Sequence, residues 1–210
     1  MQNMISIQNI SKTFDGKKFI LKNLSLDIKK CDFCILTGPN GSGKTTFLKI
    51  IKQLILPTSG DIVFEESFDT DKVELISQNP RSFFLNLSIY ENLDFFCGLK
   101  KINLLKIDHE LNHLLSIFKL KDKFFHKVTN LSSGEMKKLS IIRSLVSNPS
   151  VLLFDEATSY LDVDAKTELI SYLTSDSFLK KEIATIWVTH DKNEIKQFHD
   201  PKELIFNKEK

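Results

Sequence analysis

Glycine is scarce in this chain. Its 210 residues include only 7, about half the ordinary share of ~7%. A chain so poor in glycine keeps it where the backbone needs positive φ or close approach. Four of the seven, Gly38, Gly41, Gly43 and Gly134, fall in two short motifs. Gly16 and Gly60 stand in turn-like Asp-Gly and Ser-Gly pairs, and Gly98 has no evident reason. Cysteine is nearly as rare, with 3 residues. Cys31 and Cys34 form C-x-x-C, but no second Cys or His pair follows at zinc spacing, which sets metal and redox use aside. An odd count without a framework fits a reducing compartment. No apolar stretch reaches the roughly 18–20 residues of a membrane span. No basic segment followed by an apolar one opens the chain. The expectation is a protein that does not itself cross a membrane. Charge of one sign is also missing. A net charge of +2 leaves no electrostatic footprint of nucleic-acid binding. The Lys-Lys pairs (Lys17-Lys18, Lys29-Lys30, Lys100-Lys101, Lys137-Lys138, Lys180-Lys181) are scattered, as solvated surface is. Repeats and low-complexity tracts are absent too. With 41% hydrophobic and 27% charged residues, one globular domain with a sizeable core is expected.

What is present centres on residues 34–51, CILTGPNGSGKTTFLKII. An apolar run meets a glycine-rich turn, then Lys44-Thr45, then Phe47, Leu48, Ile50 and Ile51 at helical spacing. That order of strand, loop and helix is the context required of G-x-x-x-x-G-K-[ST]. Successive N–H groups from Gly38, Pro39's successors Asn40, Gly41 and Ser42, and Gly43 would form a nest for phosphate oxygens. The helix beginning near Gly43 adds its positive end. Lys44 would reach the β- and γ-phosphates, and the Thr45 hydroxyl would sit on Mg²⁺.

In chain order, residues 4–10 and 23–28 alternate like antiparallel strands leading into the phosphate loop. Phe14, before the Asp15-Gly16 turn, is either an adenine-stacking ring or a core aromatic. Residues 61–64 and 73–77 are expected as short strands, ended by Gln78-Asn79-Pro80. Residues 81–131 are mostly helical in pattern, with a capping box at Ser88 and Glu91 and a helix through Ile107, Leu111, Leu114, Leu115 and Phe118. Leu131-Ser132-Ser133-Gly134-Glu135 opens another helix, ended by Pro149. The continuous apolar run 151–154 suits a buried parallel strand and ends in Asp155-Glu156. Residues 159–162 form a turn before a helix over about 165–173. A second apolar strand, 184–188, ends in Thr189-His190. The tail 202–210 is expected to be short, with no room for an added regulatory domain.

These motifs, in this order, resemble the nucleotide-binding domain of an ABC-type ATPase, over essentially the whole chain. Walker A matches residues 38–46 through Thr46, the glutamine loop Gln78, the signature 131–135, Walker B 151–156, the Asp loop 159–162 and the switch histidine His190. The resemblance implies an α/β fold. A P-loop NTPase (RecA-like) core would span 1–80 and 136–210, with an N-terminal antiparallel β subdomain. An inserted α-helical subdomain would span 81–135. It implies ATP and Mg²⁺ as cofactors. Asp155 would hold the metal through water, at the strand end where open α/β sheets bind ligand. Glu156 would polarise the attacking water as general base, Gln78 would touch both metal and water, and His190 would hold the γ-phosphate. Ser132, Ser133 and Gly134 would grip the γ-phosphate held by a second copy, in a head-to-tail dimer. The chain departs from the commonest signature at Ser133 and Glu135, where the family usually has Gly and Gln.

The implied partner is an integral membrane permease subunit, which would hold the protein peripherally at the cytoplasmic face. Residues 79–84 with Tyr90-Glu91-Asn92-Leu93 resemble compact exporter ATPases. The rings of Phe83, Phe84, Tyr90, Phe95 and Phe96, with Leu85 and Leu87, would either line a groove for the permease or form the insertion's own core. A soluble ABC ATPase of an iron–sulfur assembly scaffold is the alternative. A DNA- or ribosome-bound ABC protein is disfavoured by the single cassette, the lack of a long heptad insertion and the lack of a basic tail, so no nucleic-acid partner is expected.

Overall fold

Period-2 alternation at the N-terminus builds the expected antiparallel sheet. The computed structural model describes residues 3–77, 83–159, 161–198 and 201–207. Strand β1 (Ile5–Thr13) pairs antiparallel with β2 (Phe19–Ile28), Ile5 opposite Ile28. After β3 (Phe33–Thr37) and helix α1 (Lys44–Ile51), strand β4 (Ser59–Phe64) returns to the other side of β1, Ile5 opposite Phe64. The register of β1 shifts between Ile7 and Ile10, and Asn9 takes φ 51. This bulge buries both Ile7 and Ile10, which strict alternation would put on opposite faces.

The second sheet takes the order β5-β6-β7-β3-β8, from β5 (Val73–Ile76), β6 (Val151–Asp155), β7 (Ala184–Val188), β3 and β8 (Lys202–Ile205). β6 with β7, β7 with β3, and β3 with β8 are parallel. Every residue of β6 and β7 is buried, as a strand covered on both faces must be. Phe154 stacks on Trp187 at 4.3 Å between ring centroids. β8 lies within the short tail 202–210, where no strand was expected. Its charged start hides a strand that β3 recruits, Leu36 opposite Leu204. Cys34 lies buried in β3, where burial pushes its thiol up to about 11, while Cys31 is exposed. The C-x-x-C is thus split between core and surface.

Two compact units emerge. The first holds Met1–Leu75, Ser150–Glu156 and Asp176–Lys210, with both sheets, α1, α6 (Asp176–Leu179) and α7 (Lys192–Ile195). The second holds Ile76–Pro149 and Ala157–Ser175, with α2 (Ile89–Leu99), α3 (Asp108–Ile117), α4 (Ser133–Val146) and α5 (Val163–Leu173). It includes the stretch 81–135 expected as helical, and α4 and α5 with it, because α4 packs on α2 and α3, and α5 packs on α3. The Ser88–Glu91 capping box is formed. Buried Asn92 accepts from the Phe84 N–H at 2.9 Å and donates to the Phe84 and Ser88 carbonyls. Arg143 lies over the rings of Phe83 and Phe96. Phe84, Leu85 and Phe95 stay exposed. Among the described residues no helix is long and apolar enough to cross a membrane.

Candidate nucleotide-binding site

β3 delivers its glycine loop under tight steric limits. Gly38 takes φ 140, and a Cβ there would run into the Phe206 carbonyl. Gly43 takes φ 97, and a Cβ would meet Leu21 Cδ2 at 2.5 Å and the Ile20 carbonyl at 2.9 Å. The loop is therefore wedged between β2 and the residue following β8, and only glycine fits at either end. Gly43 caps α1 with no side chain, and the first turn of α1 has no acidic residue. Among the described residues, no side chain caps the leading N–H groups of that helix. Lys44, buried, donates to the carbonyls of Gly38 (2.7 Å) and Pro39 (3.0 Å). Burial pushes its ammonium below the ordinary lysine value, while the carboxylates of Glu156 and Asp155 pull the other way. Ser42 Oγ is buried without a hydrogen-bond partner. Asn40 and Gly41 are exposed, and Thr46 is half-buried.

β6 brings the carboxylates to the same place. The Thr45 hydroxyl donates to Asp155 Oδ1 at 2.9 Å. At the next residue the chain leaves the strand through a left-handed turn, with Glu156 at φ 50. A non-glycine residue there costs of order 1 kcal/mol, the kind of strain that collects at functional sites. His190, following β7, places Nε2 3.1 Å from Glu156 Oε1; the imidazole N–H donates when the carboxylate is ionised. A residue the sequence reading passed over supports this loop. Buried Glu194 accepts from the Thr189 hydroxyl at 2.6 Å and from Trp187 Nε1 at 3.1 Å. Thr189 Oγ1 in turn accepts the Asp191 N–H. The signal available was a glutamate four residues beyond the histidine on a short helix, which looks like solvated surface until α7 folds it inward.

Thr45 and Asp155 fit a small hard cation, since both offer oxygen donors and already touch. Among the described residues no group of three or more His, Cys, Asp or Glu side chains could hold a metal by itself. A magnesium ion here would complete its shell with water and phosphate oxygens, its usual habit. Phe14 is 62% exposed, with Lys12 Nζ 5.0 Å from its ring centre. It is not a core aromatic. Asp15 orders the neighbouring turn by accepting from the Lys17 and Lys18 N–H groups, which lowers its carboxyl below the ordinary value.

The second phosphate-type motif belongs to the second unit. Ser132 caps α4, accepting the Glu135 N–H on Oγ at 3.2 Å, and Glu135 Oε2 accepts the Ser132 N–H at 3.0 Å. Ser133 and Gly134 follow in the first turn. Lys138 donates to Asp162 Oδ2 at 2.7 Å, joining α4 to the cap of α5.

Comparison with known proteins agrees with this arrangement. The family profile described as ABC transporter matches residues 21–159. The spermidine/putrescine import ATP-binding protein of Thermotoga maritima is 36% identical over 196 residues, 90% of this chain and 52% of that protein. The molybdate/tungstate import ATP-binding protein of Methanocaldococcus jannaschii is 31% identical over 212 residues, 98% of this chain and 69% of that protein. The chain belongs to the ABC transporter ATP-binding family. It spans about half the length of the first relative and about two thirds of the second. The first unit of this ABC protein brings together Lys44, Thr45, Asp155, Glu156 and His190. Ser132, Ser133 and Gly134 stand in the second. Gln78 lies outside the described residues.

Proposed function

We propose that this chain binds MgATP and hydrolyses it to drive a membrane transporter, as one of two ATP-binding domains acting head to tail. The observation that carries this reading is the pairing of Thr45 with Asp155 and of Glu156 with His190 around one glycine loop. Bound Mg²⁺ would neutralise charge on the β- and γ-phosphates. The loop N–H groups and Lys44 would grip the triphosphate, and Lys44 would exchange its two carbonyl partners for phosphate oxygens. Thr45 and Asp155 would orient the cation, with Gln78 beside it. Glu156 would accept a proton from the attacking water, and His190 would hold that carboxylate in place and meet the γ-phosphate. The exposed Phe14 ring would stack on the adenine. From a second copy, Ser132, Ser133 and Gly134 would close on the same γ-phosphate.

The partner would be a permease, with this subunit held at the cytoplasmic face of the membrane. The names of both relatives contain the word import, and neither supports the exporter-like expectation from residues 79–93, so import is the direction we take. The two names give different cargoes, which supports a reading in which the permease chooses the cargo. Glu156→Gln tests the reading. It should keep ATP affinity, accumulate an ATP-bound dimer and slow hydrolysis by about 10²–10⁴-fold. Hydrolysis at the parent rate would mean that the base is elsewhere.

A further inference from the structure

The chain uses the same capping box twice, and among the described residues only the second has a lysine paired with its glutamate. At α2, Glu91 Oε2 accepts both the N–H and the hydroxyl of Ser88, each at 2.7 Å. The serine proton is consumed by its own glutamate. At α4, Glu135 Oε2 accepts the Ser132 N–H at 3.0 Å, and the Ser132 side chain also helps to lower its carboxyl. Here a cation joins the box as well: Lys123 donates to Glu135 Oε1 at 2.6 Å. Ser132 Oγ accepts the Glu135 N–H.

We propose that Lys123 is a positioning residue for the serine-glycine corner. By clamping and neutralising Glu135, it allows a carboxylate to stand where an incoming phosphate must approach. This deepens the proposed function and rests on the corner's contact with ATP held by a second copy. The need arises because Glu135 stands where the family usually has an uncharged Gln. A like charge facing a phosphate costs affinity, and a close counter-charge removes most of that cost. The same ion pair is the leading cause of Glu135's lowered carboxyl value, ahead of the Ser132 N–H.

The test uses Glu156→Gln as the parent and reads the ATP concentration that half-saturates dimer formation, by light scattering. Lys123→Met keeps the aliphatic stem and removes the charge. It should raise that concentration about 3- to 10-fold, with monomer ATP affinity unchanged at protein dilutions below dimerisation. Adding Glu135→Gln to Lys123→Met should restore the parent value, since Gln still completes the box. Raising salt from about 0.05 M to about 0.5 M should shrink the Lys123→Met defect. A Lys123→Met midpoint equal to the parent's overturns the inference, as does failure of Glu135→Gln to restore it or a defect indifferent to salt. Ser132→Arg is the separate control. If it dimerises like the parent, or if the parent itself does not dimerise with ATP, the dimer reading fails and the inference falls with it.

Discussion

Lys44 shows function held against the preference of the fold. It is buried against two carbonyls, and burial lowers its pKa. A lowered lysine value in the folded state means that the charged side chain costs stability at neutral pH, a cost relieved as pH rises through that value. Lys44→Ala should therefore lose ATP affinity by more than about 10-fold, the effect of one charge-assisted contact, while its melting temperature does not fall. Calorimetric titration and thermal melts measure the two; unchanged affinity would remove the phosphate-loop reading. Gly38, Gly43, Lys44 and Thr45 were legible because each residue type is demanded by local geometry. Glu194 was not, since its burial depends on how α7 packs against β7.

At the scale of elements, the caps decide where the second unit's helices begin. Ser88 accepts the Glu91 N–H at 3.1 Å, and its own N–H goes to the Glu91 carboxylate. Ser88→Ala should cost about 1 kcal/mol at pH 7, measured by urea unfolding. The Ser88 bonds lower the Glu91 carboxyl below its ordinary value of 4.5. A depressed folded value means stabilisation that is present above 4.5 and is lost as pH falls through the folded value. The Ser88→Ala penalty should thus shrink as pH falls below 4.5 and the carboxylate becomes protonated. A penalty constant across that range would show that the carboxylate contributes nothing to the cap. This box was visible as S-x-x-E before an apolar run. β8 was not: Lys202-Glu203 begins like a solvated tail, and only pairing with β3 makes it a strand.

For the whole molecule, the proposed dimer and permease carry the prediction. Ser132→Arg should spare ATP binding by the monomer and block ATP-driven dimerisation, because a bulky side chain would occupy the place of the second copy's phosphate. Gel filtration with ATP reads the outcome, and an unaltered dimer would sink the head-to-tail reading. Purification in mild detergent should recover a membrane protein with the chain. Recovery of soluble partners alone would favour the assembly-scaffold alternative instead.

By itself, the sequence determined the phosphate loop, the buried strands that end in Asp155-Glu156 and Thr189-His190, and the capped helix after Leu131. Each rests on interactions among residues close in the chain, where spacing specifies geometry. Tertiary structure alone decided that Asp155 meets Thr45, 110 residues away, and that Phe206 backs Gly38. It also decided that Lys123 pairs with Glu135 Oε1, 12 residues along the chain. Those contacts depend on strand order and helix packing, which local spacing does not encode.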